Sequence, residues 1–378
     1  MKQSWHSESI EDLCEVEYGT RVVRKRDAGT IYPVYGGGGA TFSMDTYNRE
    51  DRMVIARFAM SKRCARFVDG KFFLNDSGLT ISPLDDNTFD QDFLNYQILS
   101  LNDEIYSLAR GTAQKNLNVN AFKKVQLSYP ASLEEQKQIV AKLDQCFEAI
   151  DKARANAAKN LENAKELFQS KLNEIFSQKG EGWVEVVLNE IGETQTGTTP
   201  PTKDISNYGD YIPFVKPPHF SPDGSINTGS SMLSKSGLEK GRLFQSNSVL
   251  MVCIGATIGK TGFSTVPVSS NQQINCLTPK KEYNPKLFYY GLISPFVQRQ
   301  VIEIGSGSQA TLPIINKSKW SKLRINIPTE RSVQDVIVQL LDGLKQKTQP
   351  LESKYQQELN SLEELKKSIL QKAFKGEL

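Results

Sequence analysis

Residues 133–176 read LEEQKQIVAKLDQCFEAIDKARANAAKNLENAKELFQSKLNEIF. Within them Ile139, Leu143, Cys146, Ile150, Ala153, Ala157, Asn160, Ala164 and Leu167 follow one another at alternating steps of four and three. That spacing is the seam of a helix packed lengthwise on another helix, so a partner is required. The chain supplies one: 198 residues on stand Ile337, Leu341, Leu344, Thr348, Leu351, Tyr355, Glu358, Leu362 and Leu365, a second seam in the same phase. Identities off the seam repeat at the same distance, Gln136 with Gln334, Val140 with Val338, Asp144 with Asp342, Leu161 with Leu359, Ser170 with Ser368 and Phe176 with Phe374. A long helix has been duplicated. From Glu134 to Phe176 it would span about 64 Å at roughly 1.5 Å per residue.

The duplication extends beyond the helices. Trp5 matches Trp183 and Gly19 matches Gly197 at a distance of 178, Pro33 matches Pro213 at 180, Tyr96 matches Tyr290 at 194 and Pro130 matches Pro328 at 198. The growing distance means that insertions accumulate inside the second globular part while the helices keep their length. The resulting plan is α+β: a globular domain over 1–130, a helix and linker over 131–182, a similar domain over 183–328 and a second helix over 329–378. Loops that diverge on a fixed scaffold are the expected pattern where loops choose the ligand.

The net charge of +3, with 24% charged and 38% hydrophobic residues, fits an ordinary soluble protein. By segment the balance differs: 183–328 carries 14 Lys/Arg against 9 Asp/Glu, and 1–130 carries 16 against 17. A phosphate-binding surface in the first domain therefore has to be locally concentrated. Five widely spaced cysteines, with no C-x-x-C pair, point to a reducing cytoplasm rather than a disulfide framework or zinc site. The N-terminal residues lack the apolar run of a secretory signal, and no stretch approaches the ~20 apolar residues that span a bilayer. A soluble cytoplasmic protein is expected.

In the first domain a helix is predicted over Ile10–Val16, strands over Ile31–Tyr35, Met53–Phe58, Phe72–Leu74 and Val125–Tyr129, and a helix over Asp90–Leu101. The candidate nucleic-acid contacts are the basic run Arg21, Arg24, Lys25, Arg26; a second cationic group Arg57, Lys62, Arg63, Arg66; and the polar loop residues Gln114, Lys115, Asn116. Cationic side chains suit phosphates, and amides on a glycine-containing loop suit base edges, although both also occur in ordinary solvated turns. In the second domain Thr198, Lys203, Lys216, His219, Lys260, Asn271, Gln272 and Gln309 stand in comparable positions.

Gly36-Gly37-Gly38-Gly39 follows a strand but is not followed by a helix start, so it reads as a permissive turn rather than a nucleotide loop. Gly255-Ala256-Thr257-Ile258-Gly259-Lys260-Thr261 has three residues between its glycines where a P-loop needs four, and it reads as a strand turn. The two histidines, His6 and His219, lie in different copies, which argues against a histidine-based metal cluster or Ser-His-Asp triad. No glycine-rich methyl-donor loop or Asn/Asp-Pro-Pro motif is present. The chain reads as non-catalytic.

Gly111-Thr112-Ala113-Gln114-Lys115-Asn116-Leu117-Asn118-Val119, followed by Leu133-Glu134-Glu135-Gln136-Lys137-Gln138-Ile139-Val140, resembles the junction between target-recognition domain and conserved helix in specificity subunits of type I restriction-modification enzymes. Thr196–Pro200, Gly255–Lys260, Asn271–Gln273 and the final Gln371-Lys372-Ala373-Phe374-Lys375-Gly376-Glu377-Leu378 are similar to further parts of that family, in the family's order. The resemblance implies that each globular domain reads one half of a split double-stranded DNA sequence. It further implies that two antiparallel helices hold the domains apart and dock two methyltransferase subunits. S-adenosylmethionine would be bound by those partners, and ATP and Mg by separate restriction or motor subunits. The helix–helix seam would be carried by Ile139, Leu143, Ile150, Ala157, Leu167, Ile337, Leu341, Leu344, Leu351, Tyr355, Leu362 and Leu365. Two departures stand out. Pro350 replaces Lys152 of the first helix and is expected to kink or restart the second, and Leu312-Pro313-Ile314 stands where the first copy has Leu117-Asn118-Val119. Two other readings stay open: a cytoplasmic coiled-coil adaptor with two protein-binding domains, and a self-contained DNA methyltransferase or nuclease.

Overall fold

The computed structural model describes residues 5–306 and 313–377. The chain forms two compact units, Met1–Ala157 with Gln357–Leu378, and Ala158–Gln356. Two long helices, Leu133–Phe176 of 44 residues and Arg331–Ala373 of 43, contribute one end to each unit.

The first unit is built on a six-stranded sheet in the order Cys14–Tyr18, Gly78–Pro83, Arg49–Ala56, Ala65–Leu74, Tyr32–Gly36, Gly39–Met44. All pairs are antiparallel except Tyr32–Gly36 with Ala65–Leu74. Side chains alternate between faces along a strand. Met53 and Ile55 accordingly join the main core with Leu79, Phe93 and Phe122, while Val54 joins a smaller core with Val68, Phe72 and Leu74 on the other face. The strand Trp5–Ser9 pairs antiparallel with Gln126–Pro130, setting Trp5 opposite Pro130. The predicted helix at Ile10 stops at Leu13: Cys14-Glu15-Val16-Glu17-Tyr18 alternates in the manner of a strand and takes the sheet edge beside Gly78–Pro83.

The second unit repeats this plan in its own material. Trp183–Val187 pairs with Arg324–Pro328, with Trp183 opposite Pro328. A short helix Leu188–Ile191 leads into Gly192–Thr196, the edge of a four-stranded antiparallel sheet completed by Ile274–Pro279, Ser248–Val252 and Thr261–Ser264. Tyr208–Val215 pairs in parallel with Ser269–Ser270, matching the one parallel pair of the first unit.

Within each unit the two helices run antiparallel. In the first, Asp151 pairs with Lys366 at 3.1 Å, and one helical step on Arg154 meets Glu363 at 3.6 Å, so rising numbers on one helix face falling numbers on the other. Leu143, Phe147 and Ile150 are buried there with Leu370 and Ala373. In the second, Phe168, Leu172, Ile175 and Phe176 are buried with Ile337, Val338 and Leu341.

The seam differs from expectation at three of its positions. Ile139, Leu143, Ile150, Ala157, Ile337 and Leu341 are buried, and Leu344, Tyr355 and Leu362 are half-buried. Leu167, Leu351 and Leu365 are instead 55%, 42% and 46% exposed. Their C-terminal neighbours Phe168, Glu352 and Lys366 face inward, because a 3.5-residue period leaves both a three- and a four-residue step open and side-chain volume selects between them. Lys366 fits by laying its methylene stem inward, with its ammonium 4.7 Å from the centre of the Phe147 ring and bonded to Asp151. The second helix is not restarted at Pro350; it stays helical from Arg331 to Ala373, with Thr348 buried two residues before the proline. Packing around that turn offsets the hydrogen bond the proline forgoes.

The repeated off-seam identities turn out to dock each helix on its globular core. Gln136, fully buried, donates from Nε2 to the carbonyls of Thr88 and Pro130, both at 3.0 Å, and accepts from the Asp90 amide at 2.8 Å. Gln334, also fully buried, donates to the Pro328 carbonyl at 2.9 Å and accepts from the Asn284 amide at 2.9 Å. Two turns further along, Tyr96 donates to Asp144 and Tyr290 to Asp342. Burial first, and the carboxylate partner second, push both phenols well above their ordinary range.

Replacing Gln136 by Ala strands two carbonyls and an amide in a dry site, and an expected loss of about 2–4 kcal/mol follows from the cost of unsatisfied buried groups. Gln334→Ala should act on the second unit by a similar amount. Calorimetric unfolding of both variants checks this; two unchanged scans would show that the glutamines do not anchor the helices.

Candidate nucleic-acid interface

One loop arrangement occurs in both units, hydrogen bond for hydrogen bond. In the first, the Gly19 amide donates to the Gly78 carbonyl, Thr20 to Leu74, Asn75 to Tyr35, Arg57 to Ser77 and Leu117 to Arg57. In the second, Gly197 donates to Ile274, Thr198 to Ser270, Asn271 to Val215, Cys253 to Gln273 and Ile315 to Cys253. Each bond has its counterpart, so Asn75 corresponds to Asn271 and Arg57 to Cys253. Five chain segments are thus tied into one knot at the end of the sheet. The Asn side chain closes the local turn in both copies, Asn75 accepting from the Ser77 amide at 2.9 Å and Asn271 from the Gln273 amide at 3.2 Å.

Glycine is required where the first segment passes the Asn loop. A Cβ on Gly19 would stand 1.9 Å from the Asn75 carbonyl oxygen, and one on Gly197 would stand 2.2 Å from that of Asn271. Both glycines were visible as a repeat in the sequence, and the close approach explains it.

On this shared frame the exposed side chains differ. In the first unit the knot carries Arg57, with its guanidinium carbon 4.9 Å from the centre of the Tyr18 ring and 4.6 Å from that of Phe58. The Gly36–Gly39 turn lies alongside: a Cβ on Gly37 would come 3.0 Å from the Phe58 carbonyl, and Arg66 donates to the Gly37 carbonyl at 2.8 Å. Asn116 accepts from the Ala59 amide at 3.2 Å and the Lys115 carbonyl from the Met60 amide at 2.9 Å, which brings the polar loop to the same place. Lys115 lies 4.5 Å from the centre of the Tyr106 ring, and Gln114 is exposed. The basic run follows Thr20 directly. Arg24, Lys25 and Arg26 form an exposed helical turn, Arg24–Asp27, in which Arg26 pairs with Asp27 at 2.7 Å, and Arg21 is exposed just before it.

Arg63 is engaged elsewhere, pairing with Glu363 of the second long helix at 3.0 Å. Lys62 is exposed, and its backbone carbonyl accepts from Asn102 at 2.6 Å. The sequence reading missed Tyr18, Phe58, Asn75 and Ser77. The spacing of 196 that separates Asn75 from Asn271 lies between those already visible at Tyr96 and Pro130 and would have found the asparagine. Nothing local in the sequence marks the two rings.

In the second unit the knot holds Asn271 and Gln272, with Thr199 donating to Gln272 at 2.6 Å, and Thr198 beside them. Lys216 leaves the parallel strand pair here; its amide donates to His219 Nδ1 at 3.3 Å and its ammonium lies 5.3 Å from the centre of the Phe214 ring. Burial, then the nearby Lys216 charge, lowers the His219 pKa. Lys203 is exposed on the next loop, beside the Asp204–Lys240 pair at 3.0 Å. Gly255–Lys260 forms a turn between antiparallel strands, as expected. Lys260 lines a cleft of about 990 Å³ together with Lys165, Asp223, Tyr289 and Lys345. There Lys345 donates to the Asp223 carbonyl and, at 3.2 Å, to Tyr289, holding the loop around Asp223 onto the helix. The polar run expected from Gly305 begins inside a helix, Pro295–Ser306, and Gln309 lies outside the described residues.

Among the described residues no group of three His, Cys, Asp or Glu could hold a metal ion, and no helix is long and apolar enough to cross a membrane. The buried thiols of Cys14, Cys253 and Cys276 are pushed up to about 12 by burial, which leaves them unreactive.

The family described as Type I restriction modification DNA specificity domain matches residues 2–160 and 180–361. The Type I restriction enzyme HindI specificity subunit of Haemophilus influenzae is 30% identical over 154 residues, which is 40% of this chain and only 33% of that protein's length. The putative type I specificity subunit S.MgeORF438P of Mycoplasma genitalium is 21% identical across 98% of this chain and 94% of its own. Among solved structures, a chain from a study of complex assembly and conformational transition of the type I R-M system superposes with a TM-score of 0.72 at 20% identity, covering 100% of both chains. The HsdS subunit from Thermoanaerobacter tengcongensis gives 0.51 at 19%, covering 100% and 98%. At these identities the structural likeness establishes the fold.

Gly19→Ala and Gly197→Ala each force a methyl group against a backbone carbonyl, and each should cost about 1–3 kcal/mol as overpacking does. Gly38→Ala is the control, because a Cβ there meets nothing within 4 Å; it should stay within about 0.5 kcal/mol of the parent. Chemical denaturation of the three variants compares them, and equal stabilities would refute the close approach at the knot.

Proposed function

Because the chain belongs to the type I restriction modification DNA specificity family, we propose that it is the sequence-specific DNA-binding subunit of a type I restriction-modification complex. Each unit reads one half of a bipartite target, and the two long helices set the spacing and dock two methyltransferase subunits. Those partners bind S-adenosylmethionine, and separate restriction or motor subunits bind ATP and Mg. The chain itself contributes recognition and no catalytic group. The observation that carries the reading is the knot built twice from matching backbone bonds with different side chains on it. A constant frame with variable exposed groups is what a two-part reader of different base sequences requires.

In this reading the exposed run Arg21, Arg24, Lys25, Arg26 positions the complex on phosphates, while Arg57, Arg66, Lys115, Asn116 and Gln114 in one unit, and Thr198, Lys203, Lys216, His219, Asn271 and Gln272 in the other, stand at or beside the bases. Lys260 serves the cleft instead. Replacing Arg21, Arg24 and Arg26 together by Ala should weaken binding to all sequences alike and flatten the salt dependence by roughly one unit per lost phosphate contact. An unchanged slope would remove the run from the interface.

The test of the whole assignment is the modification motif of cells expressing the chain with its methyltransferase subunits. A split motif is expected, and exchange of residues 1–130 for the corresponding domain of a relative should alter one half alone. Four residues inserted after Asn160 add about 6 Å of helix, close to two base pairs at roughly 3.4 Å each. They also turn the far side by about 40°, against roughly 70° for two base pairs of B-DNA. The gap should therefore lengthen by about one or two base pairs with both half-sites unchanged. Full activity with the original gap would show that the helices do not set the spacing.

A further inference from the structure

The guanidinium of Arg57 is held in an unusual way for a surface arginine. Two exposed rings, Tyr18 at 47% and Phe58 at 37% of their full exposure, flank it at 4.9 and 4.6 Å. Its backbone is fixed at both ends, the amide donating to Ser77 at 2.8 Å and the carbonyl accepting from Leu117 at 2.8 Å. Two residues later Ala59 sits at φ +48°, a left-handed conformation that a non-glycine residue adopts only when its surroundings impose it. The imposing contacts are the Asn116 side chain on the Ala59 amide at 3.2 Å and the Lys115 carbonyl on the Met60 amide at 2.9 Å.

All this order leaves the hydrogen-bonding edge of Arg57 nearly unused. Nη1 donates to the Asp76 carbonyl at a long 3.4 Å, and among the described residues its other N–H groups have no acceptor. A ring-flanked guanidinium is weakly hydrated and restricted to a plane, so it loses little freedom when it meets a flat acceptor pair. A phosphate requires neither the rings nor the restriction. The corresponding position of the second unit is Cys253, buried and unable to serve in this way.

We propose that Arg57 is a specificity-determining residue that reads a guanine in the half-site taken by the first unit, donating two parallel N–H bonds to O6 and N7 in the major groove. This is the pairing that arginine geometry favours among base edges. The assignment rests on the DNA-reading function proposed above. It also makes the two half-sites chemically unlike, since the frame of the second unit offers Thr199 and Gln272 but no arginine in the matching place.

The test uses the chain assembled with its methyltransferase subunits, and binding to duplexes that carry the modification motif with single base-pair changes. Exchanging one G·C pair of the first half-site for A·T should weaken binding roughly 5- to 150-fold. Replacing that guanine by 7-deazaguanine, which lacks N7, should weaken it by a smaller factor without any change to the protein. In Arg57→Gln both penalties should vanish at that pair while every other position, and the whole second half-site, stays as selective as before. Loss of affinity that is uniform over all sequences, with the salt slope reduced by roughly one, would overturn the assignment in favour of a phosphate contact. A split motif left unchanged by Arg57→Gln would overturn it while sparing the DNA-reading function; a parent complex with no split motif would overturn both.

Discussion

A long amphipathic helix has only its seam to bury, and without a fixed point it could slide or rotate on whatever it packs against. Gln136 and Gln334 remove that freedom. Each sits fully buried in the first turns of its helix and is bonded to the closing strand of the globular core and to the start of a core helix. A buried amide left unpaired costs more than the bond contributes when made. The geometry is therefore enforced by penalty as much as by attraction, and a shift of one residue along the helix would break two or three bonds together. The tyrosine–aspartate pairs Tyr96–Asp144 and Tyr290–Asp342 repeat the same logic two turns on.

The knot at the end of each sheet has the complementary role. Its bonds run almost wholly through backbone groups, so side chains can be exchanged without altering the path of the chain. The requirement it does impose falls on glycine, at Gly19 and Gly197, where a methyl group would overlap a carbonyl oxygen. That division, backbone bonds for architecture and side chains free to differ, explains how two units can share a plan while carrying Arg57 flanked by rings in one and Cys253 in a dry core in the other. It also explains why the matching distances grow along the chain. The second unit inserts material between its conserved segments, including the loop around Asp223 that Lys345 holds to the helix.

The duplication, the two long helices, the α+β composition and the strands around Ile31–Tyr35, Met53–Phe58, Phe72–Leu74 and Val125–Tyr129 were legible in the sequence, because periodicity and repetition are properties of the linear chain. The family was legible for the same reason: its motifs come in a fixed order. The seam was legible only to within one residue. Leu167 and Phe168 are both apolar and both compatible with the period, and the choice of Phe168 is made by the volume available beside Ile337 and Leu341. Of the two expectations for Pro350, a restart does not occur: the helix continues from Arg331 to Ala373, with Thr348 buried just before the proline.

What the sequence by itself determined is the repeat: which segments correspond, how far apart they lie, and where one amphipathic face recurs. Tertiary structure alone decided which residues meet. Arg57 and Tyr18 are 39 positions apart and Ala59 and Asn116 are 57 apart, and no local pattern announces that a ring or an amide will be waiting. Lys62, Arg63 and Arg66 look alike in the chain, yet Arg63 turns to Glu363 of the second long helix and Arg66 to the Gly37 carbonyl. Charge is written locally, but the partner that uses it is set by the path of the backbone through space.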